Sequence, residues 1–108
     1  MDHYALSQLL ARRSPGQRYH EFFRAAALSA GVYVLAAGER DPQQPHAEDE
    51  LYVVTAGRGT LQVGDADVAV CAGSIVYVPA RVAHRFHSIT EDLSVLVVFA
   101  PAETAPAT

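Results

Sequence analysis

A single cysteine, Cys71, occurs among the 108 residues, and lysine, asparagine and tryptophan are absent. One cysteine cannot form an internal disulfide, which favours a reducing compartment. The apolar residues before Cys71 predict a buried and inert thiol. The absence of lysine excludes mechanisms that need a lysine Schiff base or a Walker A nucleotide loop.

Positive charge and long apolar segments are also scarce. The eight basic residues are all arginines, twelve residues are acidic, and the formal net charge is -4. Nucleic-acid binders usually carry a basic face, so no nucleic-acid partner is expected. No apolar run reaches about 18 residues and the first residues lack a secretory pattern. We therefore expect a cytoplasmic protein that makes no membrane contact.

Half of the residues are apolar, which is enough for one hydrophobic core. Residues 2–12 predict a short helix, which Ser14-Pro15-Gly16 ends. Tyr19–Leu28 mixes alanines typical of a helix with aromatic residues typical of a strand, and we predict a strand. The other predicted strands are Val32–Ala36, Leu51–Val54, Thr60–Val63, Val68–Cys71, Ile75–Val78, Arg85–Ile89 and Leu93–Phe99.

Short strands separated by glycine turns predict an all-β sandwich or barrel. Turns are expected at residues 56–59 and at Gly64-Asp65. The predicted organisation is an N-terminal helix or arm over residues 1–18, a β-barrel over 19–100 and a flexible, frayed tail over 101–108.

The seven residues from 44 to 50 read QPHAEDE and precede an apolar strand. Imidazole and carboxylate groups bind first-row metal ions, and His84 can supply a second imidazole from another strand. On these residues alone, a solvated acidic loop is favoured over a metal site. Glu48 and Asp49 are expected to be solvated in either case.

Strand alternation predicts a pocket if Glu50 and His84 face the interior. Alternation places Ser88 on the same face of its strand as His84, and it places His87 on the opposite face. An apolar and aromatic pocket suits a small organic ligand. The pocket residues predicted in this way are Tyr52, Val54 and Phe86, with Tyr77 as a further candidate. The two tyrosines offer hydroxyls to a ligand or pack in the core, and packing is favoured.

Two spacings resemble the signatures of the cupin superfamily. Gly38-x5-Gln44-x-His46-x3-Glu50-x6-Gly57 resembles G-x5-H-x-H-x3–4-E-x6-G, and Gly73-x5-Pro79-x-Arg81-x2-His84 resembles G-x5-P-x-G-x2-H-x3-N. Both motifs occur in order over residues 38–88. The resemblance implies a small single-domain cupin: an all-β double-stranded β-helix, or jelly-roll barrel, with a short N-terminal helix.

The resemblance also implies a divalent transition metal, Fe, Mn, Zn or Ni, at the mouth of the barrel. By position, its ligands are Gln44, His46, Glu50 and His84. Gln44 replaces a histidine of the signature, so metal binding is expected to be weaker or differently selective. Arg81 replaces a turn glycine, which costs about 1–2 kcal/mol if the position has a positive φ. Its position in the signature also makes Arg81 a candidate pocket residue that holds a substrate carboxylate, although this is the less favoured role.

The function implied by the resemblance is a metal-dependent enzyme acting on a small organic molecule, by isomerase, lyase or dioxygenase chemistry. A non-catalytic small-molecule binding or sensor protein and a cupin that has lost its metal are the alternatives. No residue is assigned as a catalytic acid or base. Small cupins commonly dimerise, and Tyr19–Leu28 is predicted to form the contact of a homodimer.

Overall fold

The structure is a computed structural model that describes residues 1–43 and 45–104, so Gln44 and residues 105–108 lie outside the described residues. Within these two ranges the chain forms one short helix and six strands, and no helix is long and apolar enough to cross a membrane. The elements are α1 (Leu6–Arg12), β1 (Tyr19–Arg24), β2 (Ser29–Leu35), β3 (Asp49–Val63), β4 (Ala66–Cys71), β5 (Ile75–Val78) and β6 (His84–Ala100).

The strands form one antiparallel sheet in the order β1-β2-β6-β3-β4, and β5 also pairs with β3. The long strands β3 and β6 pair from Asp49 and Ala100 at one end to Val63 and His84 at the other. Short strand β5 places Val78 opposite Glu50, and the turn after it leads to His84. The sheet therefore coils back on itself, which brings the start of β6 to the start of β3.

The turn predicted at residues 56–59 is wrong, because β3 continues through these residues as a bulged strand. Its register with β6 shifts between Val54 and Ala56, between Ala56 and Arg58, and between Arg58 and Thr60. Gly57 has a φ of +93°. Bulges bend a strand and increase its twist, so this segment supplies the curvature that closes the sheet.

Bulges also change which residues face the core. In β3, Tyr52 and Val54 are buried before the bulges and Leu61 after them, so the buried positions change from even to odd numbers. The two strands predicted over residues 85–99 are likewise one, β6, in which Ser88 has a φ of +51°. Ser88 is exposed and Ile89 is buried, so the predicted inward orientation of Ser88 is wrong.

The interior of the coiled sheet holds an apolar core. Its aromatic residues lie at the end near the loop that precedes β3. Its residues are Tyr33, Leu35, Tyr52, Val54, Leu61, Val70, Val78, Phe86, Ile89, Leu93, Val95, Val97 and Phe99. Cys71 ends β4 at an edge of the sheet and is half-buried, so the prediction of a buried thiol is wrong.

Strand β1 forms the other edge of the sheet and is shorter than predicted, ending at Arg24. Phe22 and Phe23 are both half-buried within the chain. The ring of Phe22 packs edge-on against Tyr4, with ring centroids 4.8 Å apart. Dimerisation through this strand stays a prediction.

Candidate metal centre

Three predicted ligands, His46, Glu50 and His84, come together at one end of the coiled sheet. One ligand atom from each lies within 4.8 Å of the other two. Glu50 lies near the start of β3, His84 begins β6, and His46 belongs to the loop before β3. The ring of His46 packs against His84 and Phe99, with centroids 5.7 and 4.9 Å away.

The contact between His84 and Glu50 requires a cation. Nε2 of His84 lies 3.0 Å from Oε2 of Glu50, and each side chain is only 1% exposed. Nδ1 of His84 lies 2.9 Å from the carbonyl oxygen of Val82, which can only accept a hydrogen bond. Nδ1 therefore carries a hydrogen, and the lone pair of a neutral His84 points at a carboxylate. Either a proton or a metal ion at Nε2 relieves that repulsion.

A second observation concerns the other oxygen of the same carboxylate. Oε1 of Glu50 is buried and has no hydrogen-bond partner among the residues that the structure describes. Buried polar atoms are normally paired, since an unpaired one loses its hydration without compensation. Two imidazoles and one carboxylate are a donor set typical of Fe, Mn, Zn or Ni sites. The residues present therefore fit a divalent transition metal.

The pKa values of both histidines are raised. Burial by itself lowers the pKa of His46, but its hydrogen bond to Glu103 and the charge of Glu50 raise it by more. Burial also lowers the pKa of His84, and its hydrogen bonds to Glu50 and the Val82 carbonyl raise it by more. The surroundings of both rings thus favour positive charge at the site.

Gln43 also reaches the site, although neither motif spacing nor strand alternation predicts it. Its Oε1 accepts a hydrogen bond from the hydroxyl of Tyr52 at 2.9 Å and lies 3.3 Å from Nε2 of His84. Its Nε2 donates to Oδ2 of Asp41 at 2.8 Å. The neighbouring Gln44, the predicted ligand, lies outside the described residues.

Asp41 is a buried carboxylate that holds this region together. Its oxygens accept hydrogen bonds from the Tyr33 hydroxyl, the backbone N–H of Gln43 and the backbone N–H of Phe86. These bonds link β2, the loop before β3 and β6. Since the amide nitrogen of Gln43 is bound to Asp41, the amide oxygen of Gln43 faces Tyr52 and His84. In the sequence, Asp41 stands out only as an acidic residue in a polar loop, which does not indicate this buried role.

The prediction that Glu48 is solvated is wrong, and Asp49, predicted to be solvated as well, is half-buried. Glu48 is only 4% exposed, and its Oε2 accepts a hydrogen bond from the Thr104 hydroxyl at 3.0 Å. Oδ1 of Asp49 accepts from the backbone N–H of Ala80 at 2.8 Å. Through these hydrogen bonds the two acids connect the start of β3 to Thr104 and Ala80, and strand alternation predicts neither contact.

The predicted pocket residues occupy different positions. Tyr52, Val54 and Phe86 face the interior and are almost fully buried, and only the Tyr52 hydroxyl reaches the site. Tyr77 is 56% exposed and pairs with Leu51 on the outer face of the sheet, so its prediction as a pocket residue is wrong. A pocket of about 190 Å³ adjoins the site, and it is lined by Gln43, Pro45, Gln62, Ala83, His84 and Arg85.

Arg81 is exposed and has a φ of +66°. Its backbone N–H donates to the carbonyl oxygen of His46 at 2.7 Å, which ties the turn after β5 to the loop carrying His46. The positive φ expected at the glycine position of the signature is therefore present, and an arginine occupies it.

Replacing Arg81 by glycine is expected to stabilise the protein. A non-glycine residue at this φ costs about 1–2 kcal/mol, and the greater freedom of glycine in the unfolded chain offsets roughly 0.4–1 kcal/mol. The expected net gain in urea unfolding is about 0–1.6 kcal/mol, whereas Arg85→Gly, in strand β6, should destabilise. A loss of stability in Arg81→Gly would contradict this account.

Comparison with known sequences agrees with the signatures. A family model described as a cupin domain matches residues 31–99. The uncharacterized protein SCO3923 of Streptomyces coelicolor is 49% identical over 105 residues, which are 96% of this chain and 100% of that protein.

Solved structures agree with the coiled sheet. An RmlC-like cupin family protein with a double-stranded β-helix fold from Methanocaldococcus jannaschii is 26% identical, with a TM-score of 0.69 over 77% of this chain and 78% of that one. The DMSP lyase DddQ from Ruegeria pomeroyi is 24% identical, with a TM-score of 0.73 over 84% of this chain and 51% of that one. The chain therefore belongs to the cupin family and has its double-stranded β-helix fold.

Proposed function

We propose that this cupin binds a divalent transition metal through His46, Glu50 and His84 and acts on a small organic molecule beside it. The observation that carries the proposal is the pairing of His84 and Glu50. A neutral His84 and Glu50 would direct lone pairs at each other across 3.0 Å in a buried position, and a proton on His84 would pair with only one oxygen of the carboxylate, leaving the second unpaired among the described residues. A divalent cation satisfies both groups at once.

A metal bound by these residues would supply Lewis-acid chemistry to a substrate oxygen, which suits metal-dependent isomerase or lyase reactions. Tyr52 stays protonated at neutral pH, because its burial and the charge of Glu50 hold its pKa well above the usual range. Its hydroxyl donates its one hydrogen to Oε1 of Gln43, so Gln43 fixes the orientation of the hydroxyl beside the site. One structural neighbour, DddQ from Ruegeria pomeroyi, is a DMSP lyase, and a lyase reaction is one of the reaction classes that a Lewis-acid metal can support.

The adjoining pocket supports a small substrate over a large one. Its volume of about 190 Å³ lies below the roughly 300–1,000 Å³ of sites for drug-sized ligands. Beside His84, its polar lining residues are Gln43, Gln62 and Arg85, of which only Arg85 carries a fixed charge. An exposed guanidinium at the pocket favours a substrate that carries a carboxylate.

Metal analysis of the wild-type protein and of His84→Ala tests the proposal. Wild type purified without chelators, or reloaded with Fe(II), Mn(II), Zn(II) or Ni(II), is expected to hold close to one metal ion per chain. His84→Ala should lose that metal, because a buried ligand is removed. The matched control is His87→Ala on the same strand, since His87 lies away from the site and contacts Asp67 at 2.9 Å.

Equal metal content in all three proteins would contradict the assignment of the site. Wild-type protein that takes up none of the four metals would contradict metal-dependent function altogether. In that case binding of carboxylates detected by thermal shift would support the non-catalytic alternative.

A further inference from the structure

Residues 101–104 follow β6 and lie against the candidate metal centre, and the fraying predicted for residues 101–108 stays a prediction. The backbone N–H of Glu103 donates to the Ser29 hydroxyl at 2.9 Å, and the Arg24 guanidinium donates to the carbonyl oxygen of Glu103 at 2.6 Å. The Thr104 hydroxyl donates to buried Glu48. Three separate parts of the chain thus hold the segment in place.

The side chain of Glu103 contacts a predicted metal ligand. Its Oε2 lies 3.1 Å from Nδ1 of His46, and the two side chains are only 12% and 14% exposed. A carboxylate can only accept this hydrogen bond, so Nδ1 of His46 carries the hydrogen. The lone pair of a neutral His46 is then on Nε2.

Both histidines of the site are therefore held in the same way. Nδ1 of His84 is bound to the Val82 carbonyl oxygen, and Nδ1 of His46 is bound to the Glu103 carboxylate. An acceptor at the outer nitrogen sets the tautomer and orientation of a ligating histidine and raises its basicity. The acceptor for His84 is the carbonyl oxygen of Val82, two residues earlier in the chain. The acceptor for His46 is the carboxylate of Glu103, near the end of the described residues.

We propose that Glu103 is a positioning residue of the metal site, which holds His46 in the tautomer and orientation that present Nε2 to the metal. The proposal rests on the proposed metal-binding function. It makes the segment after β6 part of the site, although neither signature of the family reaches it. Four contacts carry it: the carboxylate on His46, and the bonds to Ser29, Arg24 and Glu48 that place Glu103.

The effect of Glu103 on metal affinity is measured by titrating the chelator-treated protein with Co(II) and following visible absorption, which gives the dissociation constant, Kd. Glu103→Ala is expected to raise the Kd by about 10- to 100-fold, the usual cost of losing an outer partner of a metal ligand. Glu103→Gln should raise it by less, because the amide oxygen still accepts from Nδ1. The matched control is Glu91→Ala, an exposed acid paired with Arg58, which should leave the Kd unchanged.

A second readout separates positioning from general stability. In Zn(II)-loaded wild type, long-range ¹H–¹⁵N NMR should show a protonated Nδ1 and a metal-bound Nε2 on His46, and Glu103→Ala should lose this single pattern. The Tm of metal-free Glu103→Gln should stay near that of wild type. A Kd within twofold of wild type in both Glu103 variants would overturn the proposal, and wild type that binds no Co(II) would overturn the proposed function as well.

Discussion

Replacing Glu50 by glutamine is expected to weaken divalent metal binding by at least about 100-fold, or about 2.8 kcal/mol. The side chain is nearly fully buried and contacts His84. The substitution keeps its shape but removes the negative charge that balances the metal. Competition titration with a chromophoric chelator gives the affinity for Zn(II) or Co(II).

The metal-free protein should tolerate the same change. In Glu50→Gln the amide N–H can donate to Nε2 of a neutral His84, so a buried ion pair becomes a neutral hydrogen bond of similar length. We therefore expect the Tm of the chelator-treated variant to stay within a few degrees of wild type. A large loss of stability with unchanged metal affinity would show that Glu50 has a structural role only.

Glu48→Gln is the matched control for this experiment. Glu48 is also buried and lies two residues before Glu50, but it is not part of the metal cluster and it accepts a hydrogen bond from Thr104. In Glu48→Gln the amide oxygen still accepts the hydrogen bond from Thr104, so Glu103 keeps its place and metal affinity should stay close to that of wild type. Equal effects of the two substitutions would mean that overall negative charge, and not coordination by Glu50, governs binding.

Replacing Gly57 by alanine is expected to lower the free energy of unfolding by about 2–5 kcal/mol. The φ of +93° costs a residue with a side chain about 1–2 kcal/mol. A Cβ at this position would also overlap the backbone carbonyl group of Asp92 on β6, which adds roughly 1–3 kcal/mol. Urea unfolding of chelator-treated protein measures the difference without any contribution from metal.

Gly73→Ala separates the two causes. Gly73 has nearly the same φ, +95°, but a Cβ there would meet no atom within 4 Å. Its substitution should therefore cost only about 1–2 kcal/mol, the cost of the backbone conformation. If Gly57→Ala costs no more than Gly73→Ala, then the close approach of β3 and β6 at the bulge does not constrain this position.

The ligand set shows how far motif spacing can predict a site. His46, Glu50 and His84 were predicted as ligands, and the structure places them within reach of one ion. Spacing succeeds for them because each lies at a fixed number of residues from a turn or strand end of the fold. Gln43 escaped the same reasoning, since its role depends on a hydrogen bond to Asp41 and not on its place in a signature.

Strand alternation predicted the inward or outward orientation of side chains correctly only in the regular stretches between bulges. It correctly turned Tyr52 and Phe86 inward, since each lies two residues from a buried site residue. It failed at Ser88 and at residues 56–59, where an irregular backbone changes the register. A bulge adds a residue without changing composition, so the periodic pattern does not reveal it.

The sequence by itself determined the family, the all-β fold and three of the residues that converge on the candidate metal centre. These features depend on local spacing, on turn residues and on apolar periodicity. Only the tertiary structure decided that Glu48 is buried, that Gln43 faces His84 and that Glu103 contacts His46. The physical reason is that these contacts join segments distant in the chain, and they form only when the bulged strands coil and bring those segments together.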